Sequence, residues 1–259
     1  MPGMKYSILM PYHKRSQQLE STLWSLFWLY VAGVSRRHDF EVIVAEDYKN
    51  ASDPEEHQAL LKAVSRYSKV MNVICFEAGP ESGHNPAVLY NLCAERAQGQ
   101  YLLLTNPEGQ HAVNILGGLD TEFEEHPDAY VICSCLSVDK PKARMVDARA
   151  MKGDWYQHSV IRNIGAHFCS CLSAQQYRAI GGFDNEYRHG YCFDDDDFRN
   201  TVIQAGIETR YRDDLVSLHL YHDKSKPNNY LELHAINKAY YENKWGQGAF
   251  RAEQIELRK

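Results

Sequence analysis

The 259-residue chain lacks a lysine- or arginine-rich stripe, an apolar run of membrane-spanning length, a glycine-rich phosphate motif after any strand-like run, and a cysteine framework. Its formal charge is −6, so with no basic stripe nucleic-acid binding is excluded as the main activity. The most apolar stretch, "STLWSLFWLYVAGV", is 14 residues, too short to cross a bilayer, and is read as a buried helix. No basic region followed by a signal-like apolar segment opens the chain, which leads us to expect a cytoplasmic protein. Neither GxGxxG nor a P-loop occurs, which weakens ordinary dinucleotide and ATP readings. The seven cysteines are odd in number. Cys133/Cys135 and Cys169/Cys171 form CxC pairs in strand-like runs instead of the C-x2-C pairs typical of zinc sites, and are read as packed thiols.

What is present is an alternation of strand and helix signals. "MKYSILMPY", "FEVIVAED", "VMNVICFE" and "QYLLLTN" read as four buried strands. Between the first two, Leu19, Leu23, Leu26, Phe27 and Tyr30 share one helical face. Asp53, Pro54 and Glu56 have the N-cap, N1 and N3 chemistry of a helix start, and Asn85-Pro86 opens another helix that Gly99 ends. Continuous apolar strands separated by amphipathic helices imply a mostly parallel sheet covered on both faces. The second half is less regular. A helix over 113–126, a strand "AYVICSCLSV", a polar connector over 139–163 that resembles a flap, "AHFCSCLS", a helix "DFRNTVIQAG", one or two strands in "ETRYRDDLVSLHLYH" and a last helix over 229–246 complete it. With no linker, the expectation is one compact α/β domain of two abutting halves, 1–105 and 106–225, with a helical tail over 226–259.

In such a sheet, ligands bind at the carboxyl ends of the strands. Those ends carry Pro11-Tyr12-His13-Lys14-Arg15, Glu46-Asp47 and Asn106-Pro107-Glu108. A second concentration of charge is Asp194-Asp195-Asp196-Asp197, between aromatic residues and after "AIGGFDNEYRH". Four adjacent carboxylates repel one another, so they need a purpose: a solvated helix cap, a metal cage, or a base with its supports.

In their order, these features resemble the GT-A glycosyltransferases, in particular the large inverting family 2. Four blocks carry the likeness: "YSILMPYHKR", "FEVIVAEDYKN", "NPAVLYNLCAERAQGQYLLLTNPE" and "AIGGFDNEYRHGYCFDDDDFRNTVIQAG". The last also resembles the glycine-rich and acidic segment of the β-1,4-galactosyltransferases. Together they cover about residues 4–222. The resemblance implies a Rossmann-like GT-A fold, a nucleotide-sugar donor (a UDP-sugar is expected), a glycan or glycoconjugate acceptor, and Mn2+ or Mg2+.

It also implies roles. Asp194-Asp195 stands where the family has its Glu-Asp pair. Asp195 is then the base that takes the acceptor's proton, Asp194 its partner, and Asp197 a cap for the following helix. Pro11, Tyr12 and Arg15 match positions around the nucleoside, with Arg15 meeting a phosphate or buttressing Asp47. Asp47 would accept from uracil N3–H, with Glu46 as the alternative. Asn106-Pro107-Glu108 replaces the family's Asp-x-Asp metal motif and leaves one charged and one neutral oxygen ligand, which hard cations accept. A histidine after the last strand, His219 or His222, would complete the metal site. His84, in the loop before the Asn85 helix, is read mainly as a loop residue. Two other classes compete. A sugar nucleotidyltransferase should show a glycine-rich basic loop after the first strand, where "PYHKRSQQ" has no glycine. A non-catalytic carbohydrate-binding protein on a decayed scaffold is suggested by Asn106, and retention of the aspartate run argues against it.

Overall fold

The computed structural model describes residues 4–33, 38–82, 85–138, 154–165, 167–223 and 226–246. Strands β1 (Tyr6–Tyr12), β2 (Phe40–Glu46), β3 (Asn72–Glu77) and β4 (Tyr101–Thr105) pair in parallel in the order β3-β2-β1-β4. Beyond β4 the sheet becomes mixed. It continues through β8 (Cys169–Ser173), β6 (Tyr130–Val138), β9 (Thr209–Leu220) and β5 (Gly109–His111), with β7 (Trp155–Gln157) also on β6. The result is a mixed α/β domain of the GT-A type.

Period-two alternation sorts the strand side chains onto two faces. Tyr6, Ile8, Met10 and Tyr12 pack with α1 (Ser16–Phe27), α3 (Pro54–Tyr67) and α5 (Ile115–Glu125). Leu9, Ile43, Leu102 and Leu104 face α4 (Pro86–Arg96), α6 (Ala174–Ala179) and α7 (Asp194–Gln204). Of the expected face, Leu19, Leu23, Leu26 and Tyr30 are buried and Phe27 is half-buried; α1 ends at Phe27, and Tyr30 lies in the π-helical segment Trp28–Ala32 that follows. Asp53 caps α3 by accepting from Glu56 N, and Asn85 caps α4 by accepting from Ala87 N. All seven cysteines are free thiols, and both CxC pairs are buried in the sheet. No helix among the described residues is long and apolar enough to cross a membrane.

Several elements differ from expectation. The short helix α2 (Tyr48–Ala51) and β5 were not anticipated. Of the connector, 139–153 lies outside the described residues, as does His84, while Trp155–Gln157 joins the sheet. "ETRYRDDLVSLHLYH" contributes a single strand with a register shift opposite Cys133/Ser134. The four aspartates do not precede α7 but form its first turn, where the helix dipole favours negative charge. Asp197 therefore is not the cap: the N-cap residue is Phe193, and Asp197 lies a full turn inside. The last helix, α8, runs from Tyr230 to Trp245.

Candidate active site

A cleft of about 530 Å3 opens at the carboxyl ends of β1, β2 and β4. Pro11, Tyr12 and Arg15 line it from β1 and the turn after it, Asp47 from the end of β2, and Asn106 and Glu108 from beyond β4. Lys14, Lys49 and Lys226 join Arg15, so four permanent cations border it against the carboxylates of Asp47 and Glu108. In a chain of net charge −6 this is a local reversal of sign.

Asp47 is fixed from its own backbone outward. It is the N-cap of α2, and its Oδ1 accepts from Lys49 N at 2.6 Å and Asn50 N at 3.2 Å. His13 Nδ1 stands 3.5 Å from the same oxygen. Burial pushes the carboxyl up, but His13 and the Asn50 and Lys49 amides outweigh it and hold the pKa below the usual carboxylate value. Arg15 is not the buttress expected for Asp47: its guanidinium donates back to Lys14 O at 2.7 Å. Glu46 is 1% exposed and turned away, accepting from Asn50 Nδ2 and meeting His57 Nδ1 at 2.8 Å. It braces the end of the strand and does not line the cleft.

The three-residue strand β5 assembles the candidate cation site. It pairs antiparallel with β9 in the register Gly109↔His219, and Leu220 N donates to Glu108 O at 2.9 Å. This ladder draws the Glu108 carboxylate to 3.9 Å from His219 Nε2 and 3.5 Å from His222 Nε2. The ligand atoms of Glu108, His219 and His222 all lie within 4.8 Å of one another, so both candidate histidines reach one cation. One carboxylate and two imidazoles suit Mn2+ better than Mg2+, which favours oxygen ligands. Tyr156 stacks on the His219 ring at 5.0 Å between centroids, fixing its orientation. Asn106 borders the cleft, and its Oδ1 accepts from Tyr90 OH at 2.8 Å.

The acidic run divides its four side chains among different neighbours. Asp194, 6% exposed, accepts from Asn85 Nδ2 at 3.0 Å. Burial first, and then the adjacent Asp195 charge, push its pKa up to about 7, against the pull of the Asn85 hydrogen bond. Asp195 is half-buried, accepts from Asp196 N, and its charge acts on His167 and on Tyr156, the ring that stacks on His219. Asp197 is 2% exposed and accepts from Tyr187 OH, Trp245 Nε1 and Lys244 Nζ. Sequence reasoning read Asn85 only as a cap. Its second bond, across 109 residues, links the donor-side helix to the acidic turn and leaves no local signal.

Comparison with known proteins agrees with this architecture. No curated protein matches the chain by sequence. Among solved structures, S. aureus TarS 1–349 in complex with UDP-GlcNAc superposes with a TM-score of 0.65 at 15% identity, over 93% of this chain and 67% of that one. S. aureus TarS 1–349 without a named ligand gives 0.61 at 14% identity, over 84% of this chain. This chain spans 60% of that structure's length. The mannosyltransferase PcManGT from Pyrobaculum calidifontis, in complex with GDP-Man and Mn2+, gives 0.58 at 12% identity over 100% of this chain and 75% of its own. These likenesses establish the fold. The family model described as Glycosyl transferase family 2 matches residues 7–180, most of the chain, including nearly all of β1 and the whole of β2, β3 and β4. By that match the chain belongs to glycosyl transferase family 2.

Proposed function

We propose that the protein transfers a sugar from a nucleotide-diphosphate donor, a UDP-sugar by preference, to a carbohydrate hydroxyl by a single inverting displacement assisted by Mn2+ or Mg2+. The observation that carries this reading is the composition of one cleft. Lys14, Arg15, Lys49 and Lys226 line it together with Glu108, and Glu108 in turn meets His219 and His222 in the candidate cation site, in an otherwise acidic chain. A ligand matched to that surface carries several negative charges and chelates a divalent cation, as a nucleoside diphosphate does. TarS with UDP-GlcNAc and PcManGT with GDP-Man and Mn2+ share the fold and support the same class of donor.

In this scheme, Asp47 accepts from the nucleobase while Pro11 and Tyr12 wall the nucleoside. A divalent cation held by Glu108, His219 and His222 would supply neutralisation of charge on the departing diphosphate. Lys14, Arg15 and Lys226 share that task, each within the same lining. Asp195 removes the proton of the acceptor hydroxyl as its oxygen bonds to the anomeric carbon and the sugar–phosphate bond breaks. A base in this role stands opposite the leaving group, in keeping with a carboxylate pair remote in sequence from Glu108. Asp194, with its high proton affinity, hydrogen-bonds the acceptor or shares the proton with Asp195. Residues 1–105 then form the donor half, 106–225 the metal and acceptor half, and the likeness of the acidic segment to β-1,4-galactosyltransferases is one of shared chemistry.

The test is a screen of nucleotide-sugars for hydrolysis with Mn2+ and without an added acceptor, because transferases of this kind slowly pass sugar to water. Release of nucleoside diphosphate from one donor, lost on chelation, is the expected result. Absence of turnover with every donor, together with absence of nucleotide binding, rejects the reading.

A further inference from the structure

The segment in front of the acidic run is strained and does not hold its own shape. Cys192 and Phe193 lie at φ +65° and +72°, the left-handed region that disfavours residues with a Cβ. Strain of this kind persists only where surrounding contacts impose it. Here those contacts come from α8. Asn237, 1% exposed, donates from Nδ2 to Tyr187 O and to Cys192 O, each at 2.9 Å. Tyr191 N donates to Leu233 O at 3.1 Å. The close approach needs a glycine, since a Cβ on Gly190 would sit 2.4 Å from Leu233 O and 2.3 Å from Asn237 Oδ1.

At its C-terminal end, α8 fastens the other side of the acidic turn. Lys244 Nζ reaches Asp197 at 2.9 Å and Asp184 at 2.8 Å, and Trp245 Nε1 donates to Asp197 at 2.7 Å. Tyr240 OH donates to Asp184 at 2.9 Å. Phe193, Tyr187 and Tyr241 form a small apolar cluster of their own, separate from the two cores that flank the sheet. The helix therefore grips 184–197 from both ends, while the sheet is held by its own two cores and the cleft meets α8 at Tyr191.

We propose that α8 is a positioning element for the Asp194/Asp195 carboxylates, acting through Asn237 on the strained turn and through Lys244 on Asp197. This rests on the transferase reading for its consequence and on α8's own contacts for its substance. Neither Asn237 nor Lys244 lines the cleft, so each acts through the backbone that carries the acids. Displacement of a catalytic group by about 1 Å costs roughly 100-fold in rate, so loosening this grip should lower turnover without weakening donor binding.

The test uses the full chain with Asn237→Ala, Lys244→Met and the conservative Lys244→Arg, comparing amide exchange, nucleotide affinity in Mn2+, and donor turnover. In the first two variants, exchange over 190–197 should accelerate roughly tenfold or more while that of β1 and α4 stays unchanged. Their kcat should fall roughly 10- to 100-fold with UDP affinity within about twofold of wild type. Lys244→Arg, which keeps the charge on Asp184 and Asp197, should restore most of kcat. Unchanged exchange over 190–197 overturns the proposal whatever the activity. So does normal kcat despite local loosening, or a fall in kcat matched by loss of nucleotide affinity. If the wild type turns over no donor, the transferase reading fails, and α8's hold on the acidic turn is judged from the exchange data alone.

Discussion

Two acidic places in the molecule are built in opposite ways. At the end of β2, Glu46 and Asp47 are surrounded by donors: Asn50, His57, His13 and the first amides of α2. At the start of α7, Asp194 and Asp195 stand beside each other, and Asp194 accepts from the Asn85 side chain. The first arrangement holds Asp47 ionised well below neutrality, and the second lifts Asp194 to about 7. A carboxylate that never takes a proton is suited to fixed recognition, and one whose proton is exchangeable near neutral pH is suited to transfer. On the proposed reading, burial and a neighbouring charge at Asp194, against hydrogen-bond donors at Asp47, separate proton chemistry from binding.

The separation breaks most severely at the base. Asp195→Asn should lower kcat roughly 1,000-fold, within the usual range for loss of a general base, with UDP affinity unchanged by calorimetry. Next comes the cation site: Glu108→Gln should weaken Mn2+ binding about 100-fold or more, because it removes the only charged ligand of the three. Titration of the apoprotein with Mn2+ checks this directly.

A milder change sharpens the recognition side. Asp47→Asn keeps a residue equally good at the N-cap, so the melting temperature should hardly move. Loss of the charge should nevertheless raise the UDP dissociation constant about tenfold, as expected for a hydrogen bond to a charged group. The smallest effect concerns stability. The folded pKa of Asp194 lies above the ordinary carboxylate value, so the folded state binds a proton more tightly than the unfolded chain. The stabilisation is fully present below the unfolded pKa and is lost as pH rises through about 7. Asp194→Asn should therefore melt higher relative to wild type at pH 8 than at pH 5, by up to about 2 kcal/mol. A constant difference across that range would show that Asp194 titrates normally.

Much of this was legible in the sequence, because it is encoded locally. The four parallel strands declare themselves as apolar runs, the caps Asp53 and Asn85 stand next to their helices, and Asp47 sits where a parallel sheet presents ligands. The choice between His219 and His222 had no local answer. The structure brings both within reach of Glu108 through a three-residue strand too short to leave a periodic signal. The fate of Asp197 was misread for a related reason. Its partners Lys244 and Trp245 are 47 and 48 residues away, so a charge that looks like a helix cap is a tether for α8. The family match ends at residue 180, so the acidic turn, the histidines and α8 all lie beyond it. For that part of the molecule the geometry carries the argument.

The most direct test of the central claim is calorimetry of the wild-type chain with UDP, in the presence and absence of Mn2+. Binding that strengthens at least about tenfold with Mn2+, and loses that gain in Glu108→Gln, is the expected result. Failure to bind nucleotide under either condition would contradict it.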